Sequence, residues 1–271
     1  MYKKYYGINL IFKRCIIDKR FTFNEDVMNY EKWRPTYCEE LFHDIMEYSK
    51  LDRNKKALEI GIGTGKATLP FLKTGCDLKA IELGENLAEF SKNKFKAYKN
   101  FNILNVPFED FNGDENTFDL IYSATAFHWI DENIGYPKAF KLLKTGGTLA
   151  LFWNKPFIGR KDDLLHQKIQ SIYERYKPSN SKPIENDEEH YKELLERLKK
   201  YGFKDVELKL YHKTRIFNAY NYISLLNTYS DHRTMNLAIK TKFEEEIKEA
   251  ILEHNNLLKV YDTMELYLAK K

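Results

Sequence analysis

The chain has few cysteines, and they are not spaced as a site. Three occur among its 271 residues, Cys15, Cys38 and Cys76, and none belongs to a CxxC or CxxH pair. This spacing argues against a disulfide framework and against a zinc centre. No metal is expected, and the reducing cytoplasm is the expected location.

Long hydrophobic runs and a strong excess of one charge are also missing. No apolar stretch approaches the roughly 18 residues of a membrane-spanning helix, since Lys13 and Arg14 interrupt the run at 8–17. Lysine and arginine number 44 against 40 acidic residues, a net charge of +4. A surface that grips phosphates usually carries a larger, clustered excess. We therefore expect neither a membrane nor a nucleic-acid partner, while the oligomeric state is not predicted.

The middle of the chain alternates short apolar runs with helix-like stretches. This alternation is typical of βαβ units around a mostly parallel sheet. The expected fold is therefore a Rossmann-like, doubly wound α/β domain. The predicted strands are 56–60, 77–83, 101–106, 118–122 and 148–153.

Two flanking regions are expected to complete the same domain as the core at 51–155. Residues 1–50 contain a helical cap, with Pro35 expected near a helix start. Residues 156–271 supply helices and the two last strands, 206–217 and 258–269. A helical insertion at 219–254 interrupts these strands, and we predict that it forms a lid over the active site together with the N-terminal helix.

The densest signal is a glycine loop between the first strand and its helix. Glu59 precedes three alternating glycines, Gly61, Gly63 and Gly65. Glycine suits such a loop because backbone without a Cβ can turn sharply and let a ligand lie against it.

Three cofactor classes compete for this loop. A phosphate-binding P-loop is excluded because Ile60 and Ala67 stand where glycine and Ser/Thr are required. A dinucleotide fingerprint GxGxxG is weakened because Lys66 replaces its third glycine. An acidic residue followed by GxGxG remains, which resembles motif I of class I S-adenosylmethionine-dependent methyltransferases.

Further cofactor contacts follow along the chain. Glu82 lies 21 residues after Gly61, where a carboxylate can accept hydrogen bonds from both ribose hydroxyls. Leu83 is expected against adenine. The stretch from Phe108 is expected at the adenine edge, with the acidic contact from Glu109 or its neighbour Asp110.

Other segments resemble the type 11 group of these methyltransferases, including trans-aconitate methyltransferase-like proteins. The similar segments are 30–37, 123–129, 228–232 and 267–269, so the resemblance runs from about residue 28 to the C-terminus. It implies a seven-stranded sheet with an antiparallel C-terminal strand, and S-adenosylmethionine as cofactor. It also implies roles for individual residues: Ser123, Tyr30 and Arg34 at the cofactor, and Trp129 and Tyr229 in the substrate pocket.

The chemistry needs little from the protein, because a sulfonium methyl group is already activated and requires mainly in-line orientation. His128 is the candidate general base, with an orienting role as the alternative. Arg34 could pair with a carboxylate of methionine or of an acidic substrate.

The expected function is methyl transfer to an unidentified, small-molecule acceptor. No Asn/Asp-Pro-Pro-Tyr motif follows the fourth strand, which argues against methylation of DNA adenine. One alternative is an NAD(P)-dependent oxidoreductase, although the third glycine and a Tyr-x-x-x-Lys pair are missing. The other is a non-catalytic regulator that binds S-adenosylmethionine.

Overall fold

The computed structural model describes residues 19–179 and 184–271, so Cys15, the run at 8–17 and the centre of the polar loop at 177–187 lie outside the described residues. The described residues form a seven-stranded sheet with the strand order β3-β2-β1-β4-β5-β7-β6. The strands are β1 Lys56–Ile60, β2 Asp77–Glu82, β3 Phe101–Asn105, β4 Phe118–Ala124, β5 Leu143–Phe157, β6 Lys204–Phe217 and β7 Leu258–Lys270.

The strand directions confirm the predicted fold class. Strands β1 to β5 pair in parallel, whereas β7 is antiparallel to both β5 and β6. The chain order reverses at β1, which lies between β2 and β4. In such sheets ligands bind beyond the carboxyl ends of the strands at this switch point.

Helices cover both faces of the sheet, which explains why the central strands are nearly continuous apolar runs. The described residues contain ten α-helices, and those of the core and cap divide between two hydrophobic clusters. One cluster packs Leu41 and Phe71 on one face of the sheet, and the other packs Tyr136 and Leu194 on the opposite face. The helices are α1 Val27–Trp33, α2 Glu39–Ser49, α3 Thr68–Leu72, α4 Glu85–Lys94, α5 Glu132–Leu142, α6 Leu164–Tyr176, α7 Glu188–Lys200, α8 Ala219–Leu226, α9 Ser230–Arg233 and α10 Leu237–Glu253.

The predicted insertion at 219–254 corresponds to α8, α9 and α10. Its apolar side chains form a third cluster with α6, in which Phe243 and Ile247 are fully buried. α8 also packs on α1, and α9 on the 3₁₀-helix Lys19–Asn24. The insertion therefore meets the N-terminal segment.

Three sequence predictions about elements need correction. Strand β5 begins five residues before the predicted start, where Leu143 pairs with β4, and ends four residues after the predicted end, where Phe157 pairs with β7. The turn predicted at Gly146 lies inside β5, where the pairing with β4 shifts register. Pro35 does not start a helix; it lies in the linker between α1 and α2.

Candidate active site

Two adjoining cavities lie at the carboxyl ends of β1 and β4, where the switch point predicts a ligand. The larger has a volume of about 250 Å³ and the smaller about 100 Å³. The N-terminal segment, the glycine loop and the residues after β4 separate them. The residues that line both cavities are Phe23, Tyr30, Arg34, Gly61, Ala124, Thr125 and Trp129.

The glycine loop adopts a conformation that other residues resist. Gly61 and Gly63 have φ angles of +70° and +57°, a region that costs an L-residue about 1–2 kcal/mol. A Cβ added at Gly61 would lie 2.5 Å from the Cβ of Ala126, which means that the loop packs directly against the segment after β4. At Gly63 the ring of Tyr30 lies 3.7 Å from the position of a Cβ, so Tyr30 covers the loop.

Gly65, the third glycine of the loop, packs against a side chain of the protein. It is absent from the lining of both cavities, and a Cβ there would lie 2.3 Å from the ring of Phe95. This glycine is therefore required for close packing of the loop on Phe95. A direct contact of Gly65 with the cofactor stays a prediction.

Glu82 lies at the end of β2 on the lining of the smaller cavity. Its Oε2 accepts a hydrogen bond from the backbone N–H of Gly63 at 2.8 Å, and its Oε1 accepts one from Gly84 at 2.9 Å. Burial raises the pKa of this carboxyl, and the two backbone hydrogen bonds oppose the shift. Because each carboxylate oxygen can accept two hydrogen bonds, both retain capacity for the two hydroxyls of a ribose.

The rest of the smaller cavity is an apolar slot with one polar edge. Leu83 and Phe108, the residues expected at adenine, line it together with Ile81, Val106 and Ile130. Glu109 also lines it; its Oε1 pairs with Arg20 at 2.7 Å, while its buried Oε2 has no hydrogen-bond partner among the described residues. Such an acceptor suits the amino group of adenine.

Two further predicted cofactor residues, Glu59 and Ser123, lie behind the cavity surface. Glu59 is 1% exposed and accepts hydrogen bonds from Thr68 and Tyr122, both at 2.8 Å. Burial raises its pKa to about 8. The hydroxyl of Ser123 donates to the carbonyl of Ile60 at 2.8 Å. Both residues are buried behind the glycine loop, and neither lines one of the two cavities.

Arg34 lies where the two cavities meet, at the end of α1. Its guanidinium carbon lies over three aromatic rings, 4.8 Å from the ring centre of Tyr229, 5.2 Å from that of Tyr30 and 5.9 Å from that of Phe23. No carboxylate of residues 19–179 and 184–271 forms an ion pair with it. Tyr229 and Trp129, which were predicted in the substrate pocket, line the larger cavity beside Arg34.

His128 lines the larger cavity, but its hydrogen bonding does not favour the predicted role of base. The indole N–H of Trp153 donates to its Nδ1 at 3.0 Å, which leaves the hydrogen of a neutral ring on Nε2. Burial, with the positive charges of Arg34 and Lys155, lowers the pKa of His128 to about 4, although part of the ring faces the open cavity. The geometry therefore favours a neutral ring that donates a hydrogen bond from Nε2.

Thr125 and Asn154 are two of the site residues that the sequence did not reveal. Thr125 has a φ of +55°, which is rare for a β-branched residue, and its hydroxyl shares a hydrogen bond of 2.7 Å with Tyr37. Asn154, at 8% exposure, lines the larger cavity, and its buried Oδ1 has no partner among the described residues. The position of Asn154 near the carboxyl end of β5 is the sequence signal that could have revealed it.

The two cavities fit the parts of S-adenosylmethionine. The acceptors of Glu82 suit a ribose, the apolar slot suits adenine, and the loop at Gly61 is open to the methionine half at the larger cavity. The backbone N–H groups of the three loop glycines already have partners within the protein, since Gly61 donates to the carbonyl of Ile81, Gly63 to Glu82 and Gly65 to the carbonyl of Ile62. Fold and site together define a class I S-adenosylmethionine-dependent methyltransferase.

Comparisons with known proteins also indicate a methyltransferase. A family model described as "Methyltransferase domain" matches residues 58–151. An uncharacterized methyltransferase of Schizosaccharomyces pombe is 23% identical over 85% of this chain and 87% of its own length. A protein of Saccharomyces cerevisiae, described as a probable S-adenosylmethionine-dependent methyltransferase, is 31% identical over 48% of this chain and 45% of its own. Three mycobacterial relatives are matched over 54% of their length.

Solved structures share the fold at low identity. The YcgJ protein from Bacillus subtilis has a TM-score of 0.55 at 13% identity, covering 86% of this chain and 99% of that one. A phosphoethanolamine N-methyltransferase of Haemonchus contortus has a TM-score of 0.52 at 14% identity, covering 93% and 57%.

The chain is an S-adenosylmethionine-dependent methyltransferase with S-adenosylmethionine as the methyl donor, and its residues 58–151 match the methyltransferase domain. The comparisons thus favour the methyltransferase prediction over the oxidoreductase and the non-catalytic regulator. Within the described part of the chain, no helix has the length and apolar character needed to cross a bilayer.

Proposed function

We propose that the chain methylates a small acidic molecule and belongs to the trans-aconitate methyltransferase-like subgroup. The proposal rests on the guanidinium of Arg34, which lies between the two cavities and has no carboxylate partner among the residues that the structure describes. A cation removed from water is unfavourable unless an anion accompanies it. The natural partner is a carboxylate, which binds arginine through two parallel hydrogen bonds.

The net charge of the bound cofactor strengthens this argument. The ammonium and carboxylate of the methionine half cancel, and the sulfonium adds one positive charge. Among the residues that line the larger cavity, Asp231 is a carboxylate, and it already pairs with Lys177. The site therefore stays positive with cofactor bound, and an anionic acceptor would neutralise it.

One relative supports an acidic acceptor. A protein of Ilyobacter polytropus, named malonyl-[acyl-carrier protein] O-methyltransferase, is 30% identical over 40% of this chain and 41% of its own length. A malonyl group carries a free carboxylate, the chemical group that we propose for this acceptor.

The residues of the larger cavity would orient the acceptor for in-line transfer. S-adenosylmethionine supplies the electrophilic methyl group when bound. Arg34 would hold the negative group of the acceptor, and the Nε2–H of His128 would fix its direction. The rings of Tyr30 and Trp129 would exclude water from the reaction.

We further propose that the helical segments act as a lid on one domain. Tyr30 and Arg34 of the N-terminal segment and Tyr229 of the insertion all reach the larger cavity. A site enclosed from two sides favours a small acceptor over a polymer. The free thiols of Cys38 and Cys76 are consistent with action in the cytoplasm.

The test is transfer of a labelled methyl group from S-adenosylmethionine to a panel of small di- and tricarboxylic acids, each paired with its neutral amide. We expect products from acids alone. Arg34→Gln should lower kcat/KM for the best acid by about 10- to 100-fold, since hydrogen bonds to charged groups contribute about 1.5–3 kcal/mol.

Lys32→Gln is the matched control, because Lys32 is an exposed cation of the same helix. It should leave kcat/KM unchanged. Methylation of the amides, methylation confined to protein or RNA, or an unaffected Arg34→Gln enzyme would each overturn the proposal.

A further inference from the structure

Lys66, the residue that breaks the dinucleotide pattern, has no part in the function described so far. Its Nζ lies 3.5 Å from Oε2 of Glu31 and also donates to the backbone carbonyl of Glu31. Glu31 belongs to α1, whereas Lys66 follows the last glycine of the loop. The pair therefore joins the N-terminal helix to the cofactor loop.

A second cation reaches the same carboxylate. Nζ of Lys94, at the end of α4, lies 2.8 Å from Oε1 of Glu31 and donates to the carbonyl of Thr64 at 2.9 Å. Thr64 stands between two glycines of the loop. One carboxylate of α1 is thus bound by two lysines, and one of these lysines also binds the loop.

The three side chains are partly shielded from solvent, with 29% exposure for Glu31, 16% for Lys66 and 32% for Lys94. Burial alone would raise the pKa of Glu31, but the hydrogen bond from Lys94 and the charges of both lysines outweigh it and lower the pKa. The carboxylate is therefore ionised at neutral pH. A shielded network of three charges holds its geometry better than an isolated surface pair.

The position of Glu31 in α1 gives the network a consequence at the cofactor. Its neighbour Tyr30 covers Gly63, and Arg34 follows one turn later between the cavities. Neither residue can keep its place if α1 lifts from the loop.

We propose that Glu31 is a positioning residue, which holds α1 closed over the cofactor loop through Lys66 and Lys94 and thereby strengthens cofactor binding. Glu31 does not touch the cofactor cavities itself. Its contribution should appear as an affinity that depends on salt, because ions screen pairs that are partly exposed.

The test measures binding of S-adenosylhomocysteine by calorimetry, without any acceptor, so its outcome is independent of the proposal about acidic acceptors. We expect Glu31→Gln and Lys94→Met each to raise Kd by about tenfold. The double variant should weaken binding by less than the sum of the two single effects, because both changes break the pair between Glu31 and Lys94. Lys92→Met, an exposed lysine of α4, is the control and should leave Kd unchanged.

Two further readouts separate positioning from a general loss of stability. Raising sodium chloride from about 0.05 to 0.5 M should weaken binding to the wild type more than to Glu31→Gln. Hydrogen exchange in the bound state should quicken at residues 27–33 of the variant, with no change in the core strands. Additive losses in the double variant, or equal salt dependence in both proteins, would overturn the proposal.

Discussion

Alanine in place of Gly61 should separate backbone strain from damage to the site. Gly61 has a φ of +70°, and this conformation costs an L-residue about 1–2 kcal/mol. A Cβ there would also lie 2.5 Å from the Cβ of Ala126, whereas carbon atoms in contact prefer about 3.5–4.0 Å. The segment after β4, which carries His128 and Trp129, would have to move by about 1 Å.

A displacement of this size is large for a binding site. Misplacement of reacting groups by about 1 Å can cost 10²-fold, and the moved residues line both cavities. We therefore expect Gly61→Ala to weaken binding of S-adenosylhomocysteine by about 100-fold, well beyond the effect of strain alone. Calorimetry measures the affinity, and urea unfolding measures the stability.

Gly146→Ala is the matched control. Gly146 has a φ of +76°, but a Cβ there would meet nothing within 4 Å. This variant should lose about 1–2 kcal/mol of stability and keep the wild-type affinity. The reasoning is refuted if the two variants bind S-adenosylhomocysteine equally well.

Three further predictions concern groups around the site. Burial raises the pKa of Glu59 to about 8, so the protonated carboxyl stabilises the fold fully below pH 4.5, and this stability is lost as pH rises to 8. In urea unfolding, Glu59→Gln should therefore lose less stability than the wild type between pH 6.5 and 8. An unchanged loss would contradict this. Because the pKa of His128 is lowered to about 4, NMR should show no ionisation of its ring between pH 6 and 8, and a midpoint near 6.5 would show that its surroundings do not lower this pKa. Asn154→Leu removes an unpaired acceptor, so the variant should be as stable as the wild type or more stable by up to about 1 kcal/mol, with slower methyl transfer. A lower melting temperature would show that the side chain of Asn154 is hydrogen-bonded within the protein.

The parallel core could be predicted because its signals are local. Strand β1 was placed at its observed bounds, since a short apolar run is followed directly by the glycine loop. The length of β5 could not be predicted, because its last residues are ordered by pairing with β7, more than 100 residues away in sequence. Local patterns carry no information about such a pairing.

The site residues could likewise be predicted only where the signal is local. Glu82 and Gly61 were identified from their spacing, and the structure brings both to the smaller cavity. The hydrogen bonding of His128 depends on Trp153, and the contact of Gly65 depends on Phe95, so neither could be predicted from neighbouring residues. No motif surrounds Asn154, and its position near the carboxyl end of β5 is the one local signal that marks it.

The most direct test of the central claim is a calorimetric titration of S-adenosylmethionine and NAD into the wild type and Glu82→Gln, with Glu85→Gln as the control. The account predicts binding of S-adenosylmethionine at about micromolar Kd and none of NAD. Loss of the charged acceptor in Glu82→Gln should weaken binding by about 10- to 100-fold, while exposed Glu85 should have no effect. Binding of NAD without S-adenosylmethionine, or full affinity in Glu82→Gln, would contradict the account.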